Sequence, residues 1–104
     1  MINTIKNLFG FGTKVDYAAL VKQGAIILDV RSKGEYAVAH LKGSVNIAVD
    51  ELENYLHKLP EKNKAVITCC ASGLRSSIAK RILESYGFTK VHDGGAWYTL
   101  QNSI

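Results

Sequence analysis

Cys69 and Cys70 stand side by side in the stretch ITCCASGLRSS (67–77), ahead of the small residues Ala71, Ser72 and Gly73 and then Leu74, Arg75 and Ser76. A strand that runs into small residues and then a helix binds anions. Successive backbone N–H groups curl around one centre, and the helix start adds partial positive charge. A cysteine at the first loop position is then a candidate nucleophile, because these donors and Arg75 favour the thiolate, which is the reactive form. Free cysteines are more often buried and inert. The loop, the arginine and the helix behind them lift one of the pair out of that class.

Counted from Cys69, Arg75 closes a Cys-x5-Arg loop, the spacing of cysteine phosphatases; counted from Cys70, the loop is one residue shorter. Neighbouring residues in a strand point to opposite faces. Cys69 is therefore expected to continue the strand into the packing around the sheet, and Cys70 to be the first residue that looks into the loop. A disulfide between adjacent cysteines needs a strained ring, so both are expected as free thiols.

The surrounding elements follow from patterning. Asp16 caps a helix over YAALVKQ that Gly24 ends, and the β-branched run AIILDV reads as a strand buried on both faces. SKGEYAVAH reads as a loop and short helix, and SVNIA as a short strand. Asp50 and Glu53 form a D-x-x-E start for a helix carrying Leu52, Tyr55, Leu56 and Leu59 and stopped by Pro60. KAVITC is a second buried strand. The helix after the loop places Leu74, Ile78, Ile82, Leu83 and Tyr86 on one face, with Gly87 as its C-terminal stop. TKVHDGG gives a last strand and a turn at Gly94 and Gly95, and AWYTLQN a final helix. Strands alternating with helices predict an α/β domain with a mainly parallel sheet, in which ligands gather at the carboxyl ends of the strands. Asp29 to Arg31 and Cys69 to Arg75 both lie at such ends.

At 104 residues the chain has room for one domain, expected over 15–104, with 1–14 as an N-terminal arm or short helix carrying Ile2, Ile5, Leu8 and Phe9. Hydrophobic residues at 47% and charged residues at 21% suit a globular fold. The net charge of +4 favours a small anion over nucleic acid, since the lysines are scattered and form no basic ladder. His40, His57 and His92 lie too far apart in sequence for a zinc pattern, so no metal is expected. No apolar run reaches membrane-spanning length, and free thiols point to a reducing cytoplasm.

With these residues in place, the chain resembles the rhodanese family of sulfurtransferases. CASGLRS (70–76) is similar to its Cys-x-x-Gly-x-Arg-Ser loop, and LDVRSKGEYAVAHLKGSVNI (28–47) to its Asp-x-Arg, Glu-Tyr and His-Leu-x-Gly-Ala-x-Asn-Ile signature, with Ser44 in place of alanine. VHDGGAWYTL (91–100) resembles its closing Gly-Gly and Trp element, with a shorter spacing before Trp97.

The resemblance implies a three-layer domain with a central parallel sheet of about five strands flanked by helices, and Cys70 as the catalytic sulfur acceptor. Thiosulfate or a persulfide would be the donor, and cyanide, a thiol or a protein the acceptor. No cofactor is implied. Ala71, Ser72, Gly73, Leu74, Arg75 and Ser76 would form an open, shallow anion-binding loop whose N–H groups and Arg75 keep Cys70 ionised. Ser72 and Ser76 either donate to the bound sulfur or cap the helix.

Asp29, Arg31, Glu35 and His40 read as support, through ion pairs and hydrogen bonds, and Cys69 as a small buried residue or a thiol able to take the sulfur onward. His92 and Asp93 have no assigned role. Two alternatives stay open: a persulfide carrier or docking module for a protein partner, and a phosphatase or arsenate reductase using Cys69.

Overall fold

The computed structural model describes residues 14–59 and 61–104; the expected N-terminal helix and the stop at Pro60 lie outside these residues. The four expected strands form as β1 (Ile26–Asp29), β2 (Val45–Asn46), β3 (Val66–Cys70) and β4 (Val91–Ala96), all parallel, in the order β2-β1-β3-β4. The fifth strand that the resemblance implied has no counterpart among the described residues. The α/β class and the three-layer arrangement hold.

Alternation along the strands divides the core in two. Leu28, Val30, Val66 and Cys70 face one side, with Leu52, Ala79 and Leu83; Ile27, Ile67 and Cys69 face the other, with Leu41 and Leu100. The first side is covered by α3 (Leu74–Ser85) and by two short 3-10 helices (Val49–Asn54 and Leu56–Lys58), the second by α1 (Tyr17–Lys22) and α4 (Trp97–Gln101). From β1 the chain moves outward to β2 and then returns to place β3 on β1's other side. The carboxyl ends of β1 and β3 therefore flank a topological switch point, the position where ligands settle in parallel sheets. Asp29 pairs with Cys69 across that point. No helix among the described residues is long and apolar enough to cross a membrane.

Three sequence expectations are corrected. The helix expected after Asp50 is a broken pair of 3-10 turns with no side-chain cap, and the break at Tyr55 lets both Leu52 and Leu59 reach the core. The capping box lies instead on α2 (Lys33–Val38), where Ser32 accepts from the Glu35 N–H and Glu35 accepts from the Ser32 N–H.

Helix α3 buries Ser76, Ala79 and Leu83, leaving Leu74 70% and Ile78 41% exposed. Its first turn is tied to the cysteine loop, and that tie sets which face meets the sheet. Gly94 and Gly95 form no terminal turn; they sit inside β4 at a bulge, where three residues of β4 answer two of β3. Gly94 lies against the neighbouring strand so closely that a Cβ would fall 2.8 Å from the Thr68 carbonyl oxygen.

Candidate active site

Strand β3 ends at Cys70, and the chain turns through Ala71 and Ser72 to Gly73, which precedes α3 with φ of 106°. This left-handed conformation, open to glycine without strain, turns the Gly73 N–H back onto the cysteine. The Gly73 N–H donates to Cys70 Sγ at 3.0 Å and the Ser76 N–H at 3.3 Å. A glycine third after the cysteine thus has a mechanical reason, and it belongs to the register that starts at Cys70.

The sulfur sits at the start of a twelve-residue helix, where unpaired N–H groups and the helix dipole both favour negative charge. Burial pushes the Cys70 thiol up, but hydrogen bonds from Ser76 and from the N–H groups of Gly73 and Ser72 outweigh it and hold the thiol below its ordinary value. Cys70 is 1% exposed, so the open, shallow site expected from the small loop residues is closed over the thiol itself. Its rim is half-buried at Ala71 and Gly73 and exposed at Ser72 and Leu74.

Cys69 lies on the opposite face of the sheet, fully buried in the cluster with Ile27, Leu41, Ile67 and Leu100. Burial, reinforced by the charge of Asp29, pushes its thiol up to about 12. Two adjacent sulfurs therefore differ in both direction and ionisation. Both are free thiols.

Arg75 occupies a different place from the one expected. Its guanidinium grips Glu35 in a two-pronged ion pair, Nη1 to Oε1 at 2.7 Å and Nη2 to Oε2 at 2.9 Å, and it makes no hydrogen bond to Cys70. The pair fastens the start of α2 to the start of α3, one on either side of the switch point. Arg75 and the hydrogen bonds from Ser32 hold Glu35 at about 2, against an ordinary 4.5.

A carboxyl that binds its proton less readily when folded stabilises the fold above its unfolded value and loses that contribution as pH falls through its folded one. Glu35→Gln should accordingly flatten the fall of Tm between pH 4.5 and about 2, measured as melting curves of both proteins over that range.

Asp29 and Arg31 form a second, buried pair. The Arg31 Nη2 lies 2.7 Å from Asp29 Oδ2, Nε donates to both carboxylate oxygens, and the Arg31 N–H donates to Oδ1 at 3.0 Å. The guanidinium also donates to the Ala39 carbonyl at 2.8 Å and lies over the Trp97 ring, 5.0 Å from its centre. Asn46, unassigned from the sequence, donates to the carbonyls of both Asp29 and Arg31 at 3.0 Å. His40 stands at the surface, stacked on Tyr36 at 3.7 Å with Nδ1 donating to the Tyr36 carbonyl.

Asp93 had no role in the sequence. It lies on β4 beside the loop, where its Oδ1 accepts from the Ser76 hydroxyl at 2.6 Å and from the Gly95 N–H at 3.0 Å. An aspartate directly before a Gly-Gly at the end of a parallel strand was the signal available for it.

The profile of the Rhodanese-like domain matches residues 13–96. A candidate sulfur carrier protein, YrkF of Bacillus subtilis, is 43% identical over 65 residues, covering 62% of this chain and 35% of YrkF. The thiosulfate sulfurtransferase PspE of Escherichia coli is 36% identical over 69 residues, covering 65% of this chain and 66% of PspE. The chain thus spans about a third of the first relative and just under two thirds of the second. Among solved structures, a rhodanese with anions from E. coli superposes with a TM-score of 0.67 at 33% identity, over 72% of this chain and 89% of that one.

Proposed function

The chain belongs to the rhodanese-like family, and from that membership and the geometry of the loop we propose that it is a sulfurtransferase working through a persulfide on Cys70. The Cys70 thiolate attacks the outer sulfur of thiosulfate or of a persulfide donor. A new S–S bond forms at Cys70, the donor's own S–S bond breaks, and its electron pair leaves with sulfite or with the donor thiolate. An acceptor nucleophile (cyanide, a thiol or a protein cysteine) then attacks the outer sulfur, and Cys70 departs as a thiolate. The loop N–H groups stabilise the charge on Cys70 at both ends of this cycle. They are fixed beforehand by the backbone, so no reorganisation is needed when the charge forms.

The observation that carries this reading is the pair of N–H donors, Gly73 and Ser76, converging on Cys70 Sγ at the start of α3. Arg75 supports it indirectly. By holding Glu35 it locks the loop to α2. A phosphatase or arsenate reductase reaction starting at Cys69 is disfavoured by that residue's burial on the far face and its poorly ionised thiol.

The test is intact and peptide mass spectrometry after exposure to thiosulfate without reductant. One added sulfur is expected on Cys70 and should be lost on adding cyanide. Cys69→Ser and Cys69→Ala should load to nearly the wild-type level, because the Cys69 sulfur faces away from the loop. Sulfur found only on Cys69, or loading lost when Cys69 is replaced, would defeat the proposal.

A further inference from the structure

The guanidiniums of Arg31 and Arg75, at the carboxyl ends of β1 and β3, are both already engaged. Arg75 commits both prongs to Glu35, and Arg31 is buried on Asp29. The loop from Cys70 to Ser76 carries no other cation. Two carboxylates stand beside the site without an ion-pair partner among the described residues. Asp93 reaches the loop through the Ser76 hydroxyl at 2.6 Å, and Asp50 lines the same cleft as Arg75, Val30 and Ser32. Lys33 lines a separate groove along β2, with Val45 and Tyr55.

A donor arriving at a Cys70 thiolate therefore meets more negative than positive charge. Thiosulfate brings two negative charges to this place, and each is repelled by the thiolate and by the unpaired carboxylates. The N–H groups of Gly73 and Ser76 do not offset this, since they already bond the sulfur. An organic persulfide in the form R–S–SH brings no charge. Its carbon also has a surface to meet: Leu74, the first residue of α3, is 70% exposed at the rim, near half-buried Ala71.

We propose that the site takes its sulfur from an uncharged organic persulfide in preference to the thiosulfate dianion, a choice set by the carboxylates of Glu35, Asp50 and Asp93. The inference rests on Cys70 as the sulfur acceptor and names the class of donor for that site. The Cys70 thiolate bonds to the outer sulfur of R–S–SH, the donor's S–S bond breaks, and its electron pair leaves on the inner sulfur as a thiolate. The proton stays on the transferred sulfur, so the step balances without an oxidant or reductant. Thiosulfate remains a donor, but a slower one.

The experiment compares the rates at which sulfur is added to Cys70 by thiosulfate and by 2-hydroxyethyl persulfide, whose organic group is uncharged. Both are read by intact and peptide mass at neutral pH. Each rate is divided by the same donor's rate with free 2-mercaptoethanol, which removes intrinsic reactivity. The corrected persulfide rate should exceed the corrected thiosulfate rate at least about tenfold. Between about 0.01 M and about 0.1 M KCl the screening length falls from ~30 to ~10 Å; the thiosulfate rate should then rise about twofold or more as repulsion is screened, while the persulfide rate stays level. Glu35→Gln frees the Arg75 charge and should raise the ratio of thiosulfate to persulfide rates about tenfold. A general loosening of the loop would slow both donors alike and leave that ratio in place.

Equal corrected rates, a thiosulfate rate that stays level or falls with salt, or an unchanged ratio in Glu35→Gln would each overturn the preference while Cys70 still loads. The salt series uses the unaltered protein, so it decides the matter should Glu35→Gln fail to fold. No sulfur on Cys70 from either donor would instead defeat the persulfide reading, and the preference with it.

Discussion

Cys70→Ser should abolish sulfur transfer, with turnover of thiosulfate and cyanide falling at least about a thousandfold, to the level of the uncatalysed reaction. Serine matches cysteine in shape, so the loop, its N–H donors and the Arg75–Glu35 pair should persist and melting should change little. The effect lies in the reacting atom. A hydroxyl is not ionised at neutral pH even among the donors that hold the Cys70 thiol below its ordinary value, and oxygen cannot carry sulfane sulfur as a persulfide does. A steady-state assay with both substrates, paired with intact mass after thiosulfate, checks this. Turnover above a tenth of wild type, or added sulfur on the serine variant, would show that another group carries the sulfur.

The second large effect concerns the fold. Arg31→Met should destabilise the protein by about 3–5 kcal/mol, because it leaves Asp29 fully buried with its charge unpaired. Domains of this kind are stable by roughly 5–15 kcal/mol, so much of the margin would go. The pair sits beneath the switch point, clamped by Asn46 and covered by Trp97, so its loss should loosen the end of β1 beside the cysteine loop. Urea denaturation reads the change directly.

Asp29→Asn combined with Arg31→Met removes both charges and should recover part of the loss, since the penalty comes from the orphaned carboxylate more than from the missing bond. A single Arg31→Met variant within about 1 kcal/mol of wild type would mean that water or a rearranged neighbour relieves Asp29.

The part of the site nearest the backbone was the most legible in the sequence. Period-two alternation separates the two cysteines without any tertiary information, because it is a property of the extended chain. Cys69 and Cys70 do fall into the two opposite core clusters. The turn that aims N–H groups at Cys70 likewise follows from small residues between a strand and a helix, and the α/β class from alternating buried runs and amphipathic segments.

Periodicity was less informative about which side of α3 would be buried. Leu74, Ile78 and Tyr86 share a helical face, yet they are exposed while Ser76 and Ala79 are buried. The small residues lie against the sheet because the first turn of α3 must aim its N–H groups at Cys70. That demand comes from the loop and overrides the apolar stripe.

Sequence alone therefore determined the class of fold, the two-faced strand that sorts the thiols, and the glycine-bearing loop at the helix start. Each is written in residues adjacent along the chain, whose mutual geometry is local. Tertiary structure decided what approaches from elsewhere: Glu35 takes Arg75 from forty residues away, and Asp93 takes the Ser76 hydroxyl from seventeen. A charged side chain has many partners of the right sign in a sequence. Only the packing of β1, β3 and β4 into one sheet brings a single one within hydrogen-bonding distance.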